Sequence, residues 1–352
     1  MATSVSVPAA RRSSSDADWM IPASLFVAAQ YIGAAIISER IAYAPRPPVM
    51  AYIKGALFFA MVVAIARLLY AVGRMYARGE ARPTQRLIEL AKQQWWAWLL
   101  ILGTFLLIAA QSGALTWLKA MLPFVVPFWA DPMLAAADRA ILGADAWRLF
   151  HPLLNPFDRI IDYGYVTWFP VNTCVLVYAQ SKAASFEKSR AMLAYFLTIG
   201  LFGVLGEYVL SSAGPIFYSR LGLGSEFQNL PISAIARETS DYLWKARQDI
   251  NSPIGAGISA MPSVHVASSV WIALTCRSLL PRIFGVLATA FAALIFVGSI
   301  YLGWHYFVDA VAGIASGAAA WALAGAYLRW RARTSAARLR FAAAPLLGRS
   351  GV

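Results

Sequence analysis

Charged side chains are scarce in this chain of 352 residues, at 13% against about a quarter in an ordinary soluble domain. That scarcity excludes a conventional water-soluble enzyme with a fully solvated surface. Cysteine occurs twice, as Cys174 and Cys276, each inside an apolar run, so neither a disulfide framework nor a thiolate metal cluster is available. Acidic residues are outnumbered 17 to 30 by Lys and Arg, giving a net charge of +13. The basic residues gather in a few loops and the tail, not along one face of a polar domain. This excludes a nucleic-acid binder and fits the positive-inside pattern of membrane proteins.

What the chain has in quantity is apolar sequence, 60% of residues, with a mean hydropathy of +0.60. Eight runs of spanning length fall at about 19–41, 51–73, 96–118, 160–181, 191–213, 262–281, 283–302 and 305–328. The run at 160–181 is the weakest, since it carries Asp162, Asn172 and Gln180. The expected fold is an all-α integral membrane protein of about eight transmembrane helices. Its expected divisions are a disordered tail over 1–18, N-terminal helices and a basic loop over 19–95, a catalytic domain over 96–328 and a basic tail over 329–352. The Ser-rich start has no clear cleavage site after the first apolar run and reads as a cytoplasmic tail, not a removable signal.

Basic residues set the expected orientation. Arg74, Arg78, Arg82, Arg86 and Lys92 lie in one loop; Lys182, Lys188 and Arg190 in another; Arg277 and Arg282 in a short turn; and Arg329, Arg331, Arg333, Arg338, Arg340 and Arg349 in the tail. Eight crossings put all four regions on one side, expected to be cytoplasmic, with both termini there, in a bacterial inner or plasma membrane. Arg40 and Arg46, in the first outer loop, fit this less well. The long segments at about 119–159 and 214–261 then lie outside. Within the first, Met133, Leu134, Ala137, Ile141 and Leu142 recur at helical spacing, with Asp131, Asp138 and Arg139 between them. That pattern predicts an amphipathic helix lying on the membrane surface. Trp95, Trp96 and Trp98 suit an interfacial aromatic belt.

Histidine occurs three times, and two of the three head apolar runs. His265 follows Pro262 and Ser263 at the start of the sixth run. His305 begins the eighth, with Asp309 one helical turn on, so the carboxylate can hold one ring nitrogen and leave the other free as a base or nucleophile. Ionisable groups at membrane depth are costly unless paired or functional. His151 stands in the outer segment without a carboxylate or second histidine at useful spacing and reads as structural. Asp162 and Tyr163 suit either a cavity wall or the interface.

The string Pro262-Ser263-Val264-His265, followed by His305 and Asp309, resembles the second and third motifs of the phosphatidic acid phosphatase type 2 superfamily. Tyr301-Leu302-x-x-His305-Tyr306-Phe307-Val308-Asp309 and the upstream DPMLAAADRAILGAD resemble its inositol phosphorylceramide synthase branch. The resemblance implies a six-helix phosphatase-type core with His305 as nucleophile, Asp309 orienting it and His265 as acid. It implies no cofactor and no metal, with Ser263 and nearby backbone amides cradling phosphate. The substrates implied are a phospholipid donor and a lipid or polyol acceptor, with transfer of a phosphorylated headgroup such as phosphoinositol. Two departures stand out. Ser299 replaces an Arg usual in the phosphatases, and the first motif has only a loose counterpart in Ser211–Tyr218 with Arg220 beyond it. Arg220 is therefore the first candidate for the phosphate-binding cation, with Arg237, Lys245 and Arg247 behind it. Tyr218 and Glu207 are further candidates for substrate binding, Glu207 for a polyol headgroup or for pairing with Arg220. A lipid phosphatase is the alternative enzyme, and a transporter or structural membrane protein the alternative class.

Overall fold

The computed structural model describes residues 15–347 apart from 43, 94, 248, 250, 252–254 and 256; for Ala97 and 335–347 it describes the backbone alone. Among the described residues there are helices and no strands. In chain order they are α1 (Ala17–Ser38), α2 (Val49–Ala77), α3 (Pro83–Gln93), α4 (Trp95–Val125), α5 (Asp131–Leu142), α6 (Ala146–Leu154) and α7 (Asp158–Val166). There follow α8 (Trp168–Ser181), α9 (Phe186–Phe196), α10 (Val204–Val209), α11 (Ala234–Ala246), α12 (Val264–Leu279), α13 (Arg282–Tyr301) and α14 (Phe307–Leu347). Helices α9 and α10 form one rod through a π-helical stretch at Leu197–Gly203.

Among the described residues six stretches are long and apolar enough to cross a bilayer: Ala17–Ser38, Val49–Ala77, Trp98–Val125, Phe186–Val209, Arg282–Tyr301 and Phe307–Thr334. The two remaining expected spans are shorter helices. The fourth run is divided at Thr167 between α7 and α8. The sixth is α12, whose 16 residues rise about 24 Å against a hydrocarbon thickness of about 30 Å. Ten of those residues are buried, from Val264 to Cys276, so α12 is a central helix enclosed by α8, α9, α13 and α14.

Polar pairs tie the rods together. Gln30 on α1 and Gln111 on α4 exchange amide hydrogen bonds of 2.9 and 3.0 Å. Tyr52 on α2 and Thr116 on α4 share one of 2.6 Å. At the end of the bundle away from the histidines, Lys188 Nζ lies 2.7 Å from Asp16, and Arg331 lies 3.5 Å from Asp18. The start of α1, the α8–α9 connection and the end of α14 therefore share one side. Residues 1–14 of the expected disordered tail lie outside the described residues, but its last two positions open α1. The tail from 329 continues α14 as far as Leu347; the side chains of Arg338 and Arg340, and Arg349 as a whole, lie outside what is described.

Helix α5 forms as the spacing predicts and stops at Gly143, whose φ of 78° supplies the left-handed cap. The face turned toward the protein carries both aspartates. Asp131, Leu134, Ala135 and Asp138 are buried, while Met133 and Ile141 are exposed. The aspartates win the inward face because unpaired backbone amides await them there. Asp131 accepts from the N–H groups of Ala213 and Gly214, each at 2.8 Å, and from the Tyr306 hydroxyl at 2.8 Å. Asp138 accepts from the N–H groups of Phe307 and Val308 at 2.8 and 2.9 Å, the first turn of α14, where a carboxylate also meets the helix dipole. The helix is thus a clamp on the loops behind His305, and it leaves apolar Met133 and Ile141 on its exposed face. Burial pushes both carboxyls above the usual carboxylate range, with these hydrogen bonds pulling the other way.

Candidate functional site

Ser263 starts α12 by accepting the Val266 N–H with its hydroxyl, which sets His265 in the first turn. After α13 the chain turns through Gly303, and the His305 N–H donates to the Ser299 carbonyl at 3.0 Å. Helix α14 follows at Phe307, so His305 precedes it and Asp309 stands in its first turn. The loop at 211–214 closes against this turn: Ile216 N–H donates to the Gly303 carbonyl, and Ala260 N–H donates to the Ser212 carbonyl, both at 2.8 Å. Gly214 is required there, since at φ 98° a Cβ would stand 2.3 Å from the Trp304 carbonyl oxygen.

These loops bring the two histidines to one cavity of about 420 Å³. Their ring centroids are 5.9 Å apart. His305 Nδ1 lies 2.8 Å from Asp309 Oδ2, and Asp309 is fully buried. A neutral His305 that donates from Nδ1 to this carboxylate keeps the lone pair on Nε2. His265 is packed beside Tyr165 and Trp168, with ring centroids 5.2 and 4.3 Å away, which fixes the plane of its imidazole. Apolar and aromatic side chains dominate the remaining wall, Phe217, Ile258 and Trp304 among them.

Asp162 reaches the same cavity and accepts from the Ser233 hydroxyl at 3.0 Å, holding α11 against α7. Tyr163 is exposed instead. The remaining sequence candidates are not among the residues lining the cavity. Ser263 is fully buried and its hydroxyl caps α12. Tyr218 is buried against Phe227, at 4.9 Å between ring centroids. Arg220 pairs with Asp241 and lies over Trp244, so it does not pair with Glu207 as one sequence reading had it. Arg247 also lies over Trp244, and Arg237 and Lys245 are exposed. Ser299, where a phosphatase would carry Arg, is fully buried and donates its hydroxyl proton to the Phe296 carbonyl.

Glu207 is buried and pairs with Lys119, Nζ to Oε1 at 3.1 Å. Lys119 itself lines the histidine cavity. Sequence reasoning passed over this lysine because it closes the third apolar run and its partner is far along the chain. The signal was present: a lone cation at the end of a span. His151 packs on Tyr301, 4.0 Å between ring centroids, and its Nε2 bonds the Tyr301 carbonyl at 2.8 Å. Burial lowers its pKa from the ordinary value of 6.5.

Six helices fit to cross a bilayer make this a multi-pass membrane protein. Compared with known families, residues 132–323 match the PAP2 superfamily, which is over half of the chain, and the chain belongs to that superfamily. Its members are phosphatases or phosphotransferases, so the protein is an enzyme of lipid phosphatase or phosphotransferase type. No curated protein and no solved structure matches the chain.

Proposed function

We propose that the protein transfers a phosphorylated polar headgroup, such as phosphoinositol, from a phospholipid to a lipid or polyol acceptor through a phosphohistidine. The carrying observation is the pair of imidazoles on one cavity, with His305 Nδ1 held 2.8 Å from Asp309. His305 Nε2 attacks phosphorus, forming a P–N bond as the P–O bond to the donor's leaving group breaks. His265 gives that departing oxygen its proton. In the second half-reaction His265 takes the proton of the acceptor hydroxyl, whose oxygen attacks phosphorus and releases His305. Asp309 stabilises the charge that His305 gains during attack and needs no proton of its own. The step calls on no metal in this scheme, since the charge of the transferring group is met by cationic and backbone donors.

The apolar and aromatic wall supports transfer over hydrolysis, because such a wall takes lipid and disfavours water. The DPMLAAADRAILGAD segment supports the synthase-like branch, since Asp131 and Asp138 hold the loops that frame His305. The catalytic unit runs from about 96 to 328, a reading supported by Lys119 of α4 in the cavity wall. The site faces the extracytoplasmic side, with both termini cytoplasmic. In support, Lys188 and Arg331 meet the start of α1 at the opposite end of the bundle.

The test is incubation of the purified protein in lipid nanodiscs with headgroup-labelled phosphatidylinositol, with and without diacylglycerol, ceramide or polyol acceptors. The expected result is an acceptor-dependent product carrying the labelled phospho-headgroup. Free phosphate or free headgroup phosphate as sole product, whatever the acceptor, would make the protein a hydrolase.

A further inference from the structure

Phosphoryl transfer needs a cation at the phosphate, and the positions where sequence reasoning looked do not supply one to this cavity. We propose that Lys119 is the phosphate-binding cation and that Glu207 is the positioning residue that holds it at the cavity wall. This rests on reading the histidine cavity as a phosphate site. Among the described residues lining the cavity, Lys119 is the one Lys or Arg, and it shares that wall with both histidines. Its Nζ is 3.1 Å from Glu207 Oε1, and Glu207 is 1% exposed while Lys119 keeps 19% of its side chain accessible. The ammonium is therefore anchored from behind and open in front. It carries three donors, so pairing with one carboxylate oxygen leaves donors for a phosphate oxygen.

The surrounding chain is shaped to permit this. Gly257 sits at φ 105°, and a Cβ there would stand 2.5 Å from the Lys119 Cβ and 2.9 Å from its carbonyl carbon. The loop leading to α12 and His265 thus lies directly on α4 at Lys119, which ties the position of the cation to that of the histidine. A buried carboxylate paired with one lysine is costly to keep for stability alone, because desolvation consumes most of the attraction. In a phosphate site the arrangement has a use: the carboxylate keeps the flexible lysine in one place, and its negative charge moderates how tightly a phosphate is held.

That charge pattern predicts opposite signs for two substitutions. Lys119→Met removes the attraction for phosphate, while Glu207→Gln keeps an acceptor for Lys119 but removes a nearby negative charge. The experiment measures binding of inorganic phosphate and orthovanadate to full-length protein in nanodiscs by titration calorimetry, with thermal stability recorded in parallel. Lys119→Met is expected to weaken both anions by about 10- to 100-fold, Lys119→Arg to stay within a few-fold of wild type, and Glu207→Gln to tighten binding several-fold. Unchanged affinity in Lys119→Met, or no anion binding by wild type, overturns the proposal. So does parallel weakening in Lys119→Met and Glu207→Gln with a matching drop in stability, which is the behaviour of a purely structural ion pair. Anion binding requires no turnover, so Lys119-dependent binding without phosphorylation of His305 would instead count against the phosphohistidine reading and leave the cation assignment standing.

Discussion

Helix α2 and the α9–α10 rod are both apolar enough to cross a bilayer, yet 6% of the α2 window is buried inside the protein against 61% of the other. Helix α2 buries Ala56 and turns Leu57, Phe58, Ile65 and Leu69 outward, as a lipid-facing helix does. The α9–α10 rod is enclosed and buries Lys188, Thr198 and Glu207. Hydropathy reports that both cross; the polar residues report which one lies inside the protein, because a polar group facing lipid has no partner. In this molecule two of the buried polar systems lie around one centre. The aspartates of α5 clamp the loops behind His305, and Lys119, paired with Glu207, shares the cavity wall with it.

The contrast is sharpest in the clamp. Asp131→Ala leaves two backbone N–H groups and the Tyr306 hydroxyl without their acceptor and is expected to cost about 3 kcal/mol or more, read as a loss of thermal stability in nanodiscs. Met133→Ser, on the exposed face of the same helix, is expected to cost under about 1 kcal/mol. Equal losses would contradict the clamp.

His151 gives a smaller, pH-dependent effect. Its pKa is lowered in the folded protein, so the unfolded chain binds its proton first. The stability His151 contributes is complete above its ordinary pKa of 6.5 and is lost as pH falls below it. The melting-temperature gap between wild type and His151→Gln should therefore shrink between pH 7.5 and pH 5.5. A constant gap would mean that burial does not lower the His151 pKa in the folded protein.

The smallest effect belongs to α2. Leu57→Ala and Leu69→Ala are expected to change stability by less than about 0.5 kcal/mol each, since both side chains lie on the exposed face of α2. A larger loss would show that α2 meets a protein partner in the bilayer.

His265, His305 and Asp309 were legible in the sequence because histidine is rare in this chain and the His305–Asp309 spacing at the start of α14 brings the two side chains together. The six long spans were legible because hydropathy is a local property. Lys119 was not, since its meaning depends on Glu207, reached only through the packing of α4 against α10. Helix α5 was half legible: the periodicity shows two faces, but a membrane protein can bury the polar one when backbone donors wait inside. Arg220 drew attention by standing near Ser211–Tyr218 in the chain, and its pairing with Asp241 lies in a fold the chain order does not reveal.

The most direct measurement of the central claim is detection of the covalent intermediate. Protein incubated with phosphorus-labelled phospholipid, quenched at alkaline pH and digested for mass spectrometry, should carry the acid-labile phospho-headgroup on His305. The label should be absent from His305→Ala, while in His265→Ala it should depend on the donor's leaving group. Turnover with no label on His305, or full turnover by His305→Ala, would contradict the account.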